Sequence, residues 1–298
     1  MSNLSSDNSG VDERLQCAKF FMARYNGLAP IPILVHVIRA LVKADLCGDF
    51  RSLYAAVKRE PSITAHIIAH VTNSPMYPSP SLLMSVDKPS KPVMSIEVAI
   101  NLMGLKQTKR VLLPLLVQKT FDCSQCKAFN LKRYMMDAIS AGYYAISAGE
   151  ALLSGDNSPA IKTNANDWYT IGLLHNIGLL FMVQHDSQTM TETLSAPNLI
   201  DALHSTFGFD YFDLGAVLLK KWGLPAPFYV PLPYIRDPAY RGEQWWVSAA
   251  LDLARLMISP KLEDDEITTL AEQWGIVLSP AMVDDMDEAL DMVNTVID

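Results

Sequence analysis

The sequence predicts an all-α protein, and three observations carry that prediction. Apolar residues recur at three- and four-residue spacings through most of the chain. No window alternates with period two over several residues, so no half-buried strand is expected. The interruptions are rich in Pro, Ser, Asn and Gly, as helix connections are. Half of the 298 residues are apolar and 19% are charged, a globular balance. A chain of this length can bury one large domain or two closely packed lobes.

The elements follow in order. The polar start MSNLSSDNSGVDER has neither a basic nor an apolar signal region, and its first ten residues are expected to be disordered. Leu34, Val35, Ile38, Leu41 and Val42 form one helical stripe, which Gly48 ends. Asp49 is expected to cap the helix Phe50–Arg59 by accepting from its first free amides. Pro61 suits a first helical turn, and Ile63, Ile67, Ile68 and Val71 give that helix its apolar face. Five prolines between Ser74 and Pro92 predict a long loop. A helix resumes at Ser95, with Gly104 near its end. Further helices are expected over Leu131–Leu153, Trp168–Val183, Pro197–His204, Phe209–Trp222 and Gln244–Met257, with a connector over Ser154–Asp167. Ser279 and Pro280 open a last amphipathic helix.

Charge and cysteine usage narrow the function classes. From Lys261 to Asp298 there are 11 acidic residues and one basic residue, while the remainder, with 21 acidic and 23 basic, is close to neutral. Binding to a phosphate backbone needs a basic stripe, and none is visible, so no nucleic-acid partner is expected. No run of about 18 apolar residues exists, so no membrane insertion is expected. Cys17, Cys47, Cys123 and Cys126 read as reduced thiols of a cytoplasmic protein, with Cys123 and Cys126 spaced as half a zinc site that lacks its second pair. His66 and His70 stand four apart on one helix but without the glutamate of a zincin, and read as ordinary helix residues. Walker A, GxGxxG, GxSxG and kinase signatures are absent.

The most informative string is Ile171-Gly-Leu-Leu-His175-Asn176-Ile-Gly-Leu-Leu180. An apolar helix with a central His followed by an Asp presents two metal ligands in the HD phosphohydrolases, and here the Asp is Asn. A carboxylate can bridge two divalent ions, whereas an amide offers one neutral, weak oxygen. Four other blocks occur in order around it: Pro30-Ile-Pro-Ile-Leu34; Val57–Thr64 followed by Val71–Tyr77; Ser95–Leu105; and Phe207–Ala216 running on to Trp222-Gly-Leu-Pro225. Together, from about Pro30 to Ala254, these blocks resemble the HDOD proteins, relatives of the HD and HD-GYP phosphodiesterases that generally lack their catalytic constellation.

The resemblance implies an HD-like multi-helix fold in which an N-terminal helical lobe packs on a degenerate HD-like core. With it the HDOD domain is expected over 19–260 with lobes 19–118 and 119–260, flanked by a poorly ordered polar tail over 1–18 and an acidic helical extension over 261–298 that composition and spacing predict. The resemblance also implies how far the metal site has changed. Asp137 sits about where an active enzyme has its first His, and Tyr211 where a further His is common. Pro233–Pro238 lacks a paired His, and the last ligand, an Asp, falls at Leu251 or Asp252. His175 alone clearly survives. A polar cluster bonded within itself is favoured over a site improvised from Asp137, His175 and Asp252, so neither a metal nor another cofactor is implied.

The expected function is therefore a non-catalytic regulatory module in bacterial signalling, acting through protein contacts with signalling partners in trans, since no receiver, kinase or cyclase sequence accompanies it. The alternatives are a residual metal-dependent phosphohydrolase or phosphodiesterase, or a nucleotide sensor using the degenerate pocket. Among the prolines and aromatics of the later chain, Trp222, Pro225, Phe228, Tyr229 and Tyr234 are a candidate interaction surface.

Overall fold

The computed structural model describes residues 7–25, 33–74, 95–154, 165–258 and 264–275. Among these residues every regular element is helical. The proline-rich loop after Ser74 and the helix expected from Ser279 lie outside the described residues, as does most of the Ser154–Asp167 connector. The chain forms two compact units, residues 30–120 and residues 1–29 with 121–298.

The unit of residues 30–120 holds α2 (Ile33–Cys47), α3 (Phe50–Val57), α4 (Pro61–Asn73) and α5 (Ile96–Thr120). The predicted stripes are its core: Leu34, Val35, Ile38 and Leu41 of α2 and Ile63, Ile67 and Val71 of α4 are buried. Two local expectations need correction. Asp49 precedes α3 but makes no side-chain cap bond. Its carboxylate instead accepts from the Ser52 hydroxyl at 3.0 Å and pairs with Lys43 at 2.7 Å. Gly104 does not end its helix. It adopts φ 70°, ψ 170° as a kink, after which α5 runs on to Thr120 and buries Val111, Leu112, Leu113, Leu116 and Val117.

The other unit holds α1 (Asp7–Arg24), α6 (Leu131–Ser154), α7 (Ala165–Leu174), α8 (Ile177–His185), α9 (Ser187–Thr193), α10 (Leu199–Phe207), α11 (Tyr211–Lys221), α12 (Trp245–Met257) and α13 (Asp264–Trp274). Two short 3-10 turns, Ala226–Phe228 and Leu232–Tyr234, lie between α11 and α12. α6 packs between α7 and α12, α8 packs on α11, and α13 lies on α12.

The poorly ordered tail expected over residues 1–18 is corrected from Asp7 onward, where α1 begins. Its sparse apolar face, Val11, Ala18, Phe21 and Met22, is buried. Phe21 meets Phe207 and Phe209 edge-on at 5.5 and 5.4 Å. Arg14 completes the docking by pairing with the buried Asp213 of α11 at 3.0 Å. A face of four residues among many polar ones gives little periodic signal, which is why α1 is hard to see in the sequence.

The single helix expected over Trp168–Val183 is two helices, broken at His175 and Asn176. His175 turns its Nδ1 onto the carbonyl of Gly172 at 2.6 Å, and Asn176, at φ −107°, ψ 16°, opens α8. Glycines three residues to either side let the backbones close in. A Cβ on Gly172 would stand 2.5 Å from the Ala141 carbonyl oxygen of α6, and one on Gly178 only 2.1 Å from the Tyr211 carbonyl oxygen of α11. The pair of glycines thus clamps the His–Asn break between α6 and α11.

Replacing Gly178 with Ala should therefore destabilise the fold by about 2 kcal/mol or more, because backbone and not a movable side chain meets the new methyl. Gly10→Ala, in an open helical position of α1, should instead gain roughly 0.4–1 kcal/mol. Urea denaturation of both variants checks the contrast, and equal effects would contradict the close approach.

Candidate functional site

A cleft of about 410 Å³ opens beside the broken helix. α6 supplies Arg133, Tyr134 and Asp137, the break supplies His175 and Asn176, and α11 supplies Tyr211. Arg255 of α12 closes one side, and Phe129, Leu179, Leu194 and Ile258 form apolar walls. Tyr211 is placed by a capping box at the start of α11. There Asp210 accepts from the amides of Phe212 and Asp213, and Asp213 accepts from the amide of Asp210.

The structure thus brings Asp137, His175, Asn176 and Tyr211 to one cleft, with Asp252 behind Arg255. His175 is buried, 4% exposed. The carbonyl of Gly172 requires a proton on Nδ1, leaving Nε2 with its lone pair, the tautomer of a metal-binding imidazole. Burial depresses its pKa to about 4, partly opposed by the Gly172 bond and reinforced by the Arg255 charge, so the ring is neutral. Asn176 receives the Tyr134 hydroxyl on its amide oxygen at 2.8 Å. Burial pushes the Tyr134 pKa far up, so this phenol remains a donor. Asp137 is paired with Arg133, whose Nε lies 3.0 and 3.1 Å from its two oxygens. Burial raises the Asp137 pKa, and Arg133 opposes the rise.

Of the two positions open for the last ligand, Leu251 and Asp252 are both buried, and Asp252, 2% exposed, is the one that carries donor atoms. Its Oδ1 accepts from Arg255 Nη2 at 2.8 Å and Nε at 3.2 Å. Its Oδ2 accepts from the indole of Trp274 at 3.1 Å. Burial raises the Asp252 pKa, while Arg255 and Trp274 pull it back. A divalent ion would need these carboxylate oxygens, and both are already bonded to donors. With Asn176 turned to Tyr134 and Asp137 to Arg133, these side chains do not fit such an ion. The positive charge beside His175 and Tyr211 belongs instead to the Arg255 guanidinium.

Arg133, Tyr134, Arg255 and Trp274 were not among the residues the sequence singled out for this site. Arg133 and Arg255 carry a signal, standing four before Asp137 and three after Asp252 on the same helical faces. Trp274 carries none, being 22 residues from its partner. The candidate interaction surface is corrected in part. Trp222 and Phe228 are buried, 7% and 3% exposed, and belong to the core. Pro225 is exposed and Tyr229 and Tyr234 half-buried, with Tyr234 stacked on Tyr240 at 3.8 Å. Cys123 and Cys126 are buried thiols. Among the described residues, His204, Asp210 and Asp213 are the group close enough to share an ion; Arg14 and the Asp210 amide take Asp213 Oδ2, the capping amides take Asp210 Oδ1, and Asp213 Oδ1 is buried with no partner among the described residues. No helix of the described residues is long and apolar enough to cross a membrane.

Fold and cleft together define a helical protein of the HD-like class. The HDOD domain family matches residues 28–238, and the chain belongs to that family. Among solved structures, an HDOD domain protein of unknown function from Geobacter sulfurreducens is 20% identical, with a TM-score of 0.68 over 97% of this chain and 98% of that one. A protein from Marinobacter aquaeolei VT8, whose name proposes signal transduction, is 17% identical with a TM-score of 0.66, over all of this chain and 66% of its own. A third, from Shewanella amazonensis SB2B, whose name proposes a phosphohydrolase, is 14% identical with a TM-score of 0.64, covering 93% and 95%. At these identities the likeness is one of fold. No curated protein matches the chain.

Two outcomes test the site. Arg255→Met should cost about 3 kcal/mol by stranding the Asp252 carboxylate, and adding Asp252→Leu should recover most of it, as thermal unfolding of the single and double variants would report. His175 is a base whose folded pKa lies below its unfolded value, so the unfolded chain takes up the proton first as pH falls. Its contribution to stability should drop by up to about 3 kcal/mol as pH falls from about 6.5 to 4. Asp213 and Asp252, with raised pKa values, slope the other way. The difference between wild type and His175→Asn, followed by denaturation against pH, isolates the histidine; a flat difference contradicts a buried neutral ring.

Proposed function

We propose that this chain is a non-catalytic signal-transduction module that works through contacts with partner proteins in the bacterial cytoplasm. The observation that carries the reading is the bonding of Asp252. A carboxylate that the family resemblance offers as a metal ligand takes an arginine on one oxygen and a tryptophan on the other. Metal-assisted hydrolysis needs an ion held by charged donors to activate water and polarise the phosphoryl group. Here the fixed charge comes from a guanidinium, which can hold phosphoryl oxygens but cannot ionise a bound water. Membership of the HDOD family and the signalling role proposed in the name of the Marinobacter protein agree with this reading.

The deciding experiment is a phosphodiesterase assay on purified full-length protein with Mn²⁺ or Mg²⁺, alongside metal analysis. The expected result is substoichiometric metal and no turnover above a buffer control. Stoichiometric metal, with turnover abolished by His175→Ala, overturns the proposal in favour of a residual phosphohydrolase.

A further inference from the structure

Two guanidiniums line the cleft, and each is pinned by a carboxylate, Arg255 by the buried Asp252 and Arg133 by Asp137 of the lining itself. Arg255 spends Nε and Nη2 on Asp252, and Arg133 spends Nε on Asp137. Arg255 Nη1 and the Nη groups of Arg133 carry N–H donors with no partner among the described residues. Pinning fixes the direction of the remaining donors, so less side-chain freedom is lost when an anion arrives. The ionisable groups lining the cleft are Arg133, Arg255, Asp137, His175 and two tyrosines. With the histidine and phenols neutral, each guanidinium is balanced by a carboxylate, Arg133 by Asp137 and Arg255 by Asp252, so the arginines offer an anion directed N–H donors and not an excess of charge. Asp137, the one carboxylate in the lining, is covered by Arg133.

We propose that the cleft is a metal-independent binding site for a small phosphate ester, its oxyanion held between Arg255 and Arg133. The two arginines stand on different helices, α12 and α6, so donors reach the anion from two sides. That suits a tetrahedral group with three acceptor oxygens better than a planar carboxylate, which one fork satisfies. A volume of about 410 Å³ far exceeds a bare phosphate and lies within the range of small-ligand pockets. The apolar wall of Phe129, Leu179 and Leu194 gives the organic part of the ester a surface to bury. This site rests on the non-catalytic reading, because the anion meets guanidinium where an enzyme would offer it a metal.

Calorimetric titration of full-length, EDTA-treated protein with AMP, inorganic phosphate and adenosine tests the proposal. AMP should bind most tightly, phosphate more weakly and adenosine least, since both anion and organic part contribute. Arg133→Gln, at a half-exposed side chain whose loss should leave the fold intact, should weaken AMP about tenfold or more, with Arg133→Lys recovering part of the loss. Adenosine binding as well as AMP, or AMP binding unchanged by Arg133→Gln, overturns it. So does the absence of AMP binding at millimolar concentration with or without Mn²⁺, a result that leaves the non-catalytic reading intact. Binding that appears only after Mn²⁺ is added overturns both.

Discussion

Everything around the cleft depends on how a buried carboxylate is kept in the helical core. Asp252 sits in the middle of α12 with apolar neighbours on either side, and an uncompensated charge there would cost several kcal/mol. The compensation reaches in two directions. Arg255, one turn on along the same helix, brings the charge and places it at the cleft. Trp274 brings the second donor from α13, and is itself wholly buried. Arg241 lies over both Trp245 and Trp274, at 5.0 and 5.6 Å, and ties α13 back to the start of α12. The acidic C-terminal segment therefore contributes through α13 to the core of its unit.

Much of the fold was legible because helices of this kind announce themselves through periodicity. The stripes of α2 and α4 were readable in their main line, since a face buried along its length repeats every three or four positions, although Val42 and Ile68 are only half-buried and Val37, Ala40 and Ala44 join the core. What escaped was set by single contacts. The break at His175 and Asn176 lies inside an unbroken apolar run, and it exists because a ring nitrogen takes a backbone carbonyl. Asp49 has the right identity and position for a cap, yet a lysine and a serine compete for it and win. α1 hides because it buries only four apolar residues and is docked by single side chains, Phe21 and Arg14, that leave no periodic trace.

The site was half legible in the same sense. A family resemblance could point to Asp137, His175, Asn176 and Tyr211, and the structure places them around one cleft. It could not say what occupies the donors that remain. Three of the four answers are local or lie one packed helix away: Arg133 to Asp137, Arg255 to Asp252, Tyr134 to Asn176. The fourth, Trp274, depends on the path of the chain after α12, which no spacing encodes. Changes in residue type alone understate how thoroughly the polar atoms are committed to one another.

The guanidinium in the cleft has a consequence for how such a protein behaves in a cell. A bound ion comes and goes with supply, can be exchanged for a neighbour in the periodic table, and can change oxidation state. Arg255 is synthesised with the chain and cannot dissociate from it. Each folded copy therefore carries this charge as part of its own covalent structure, in a fixed ratio of one to the Asp252 carboxylate it compensates.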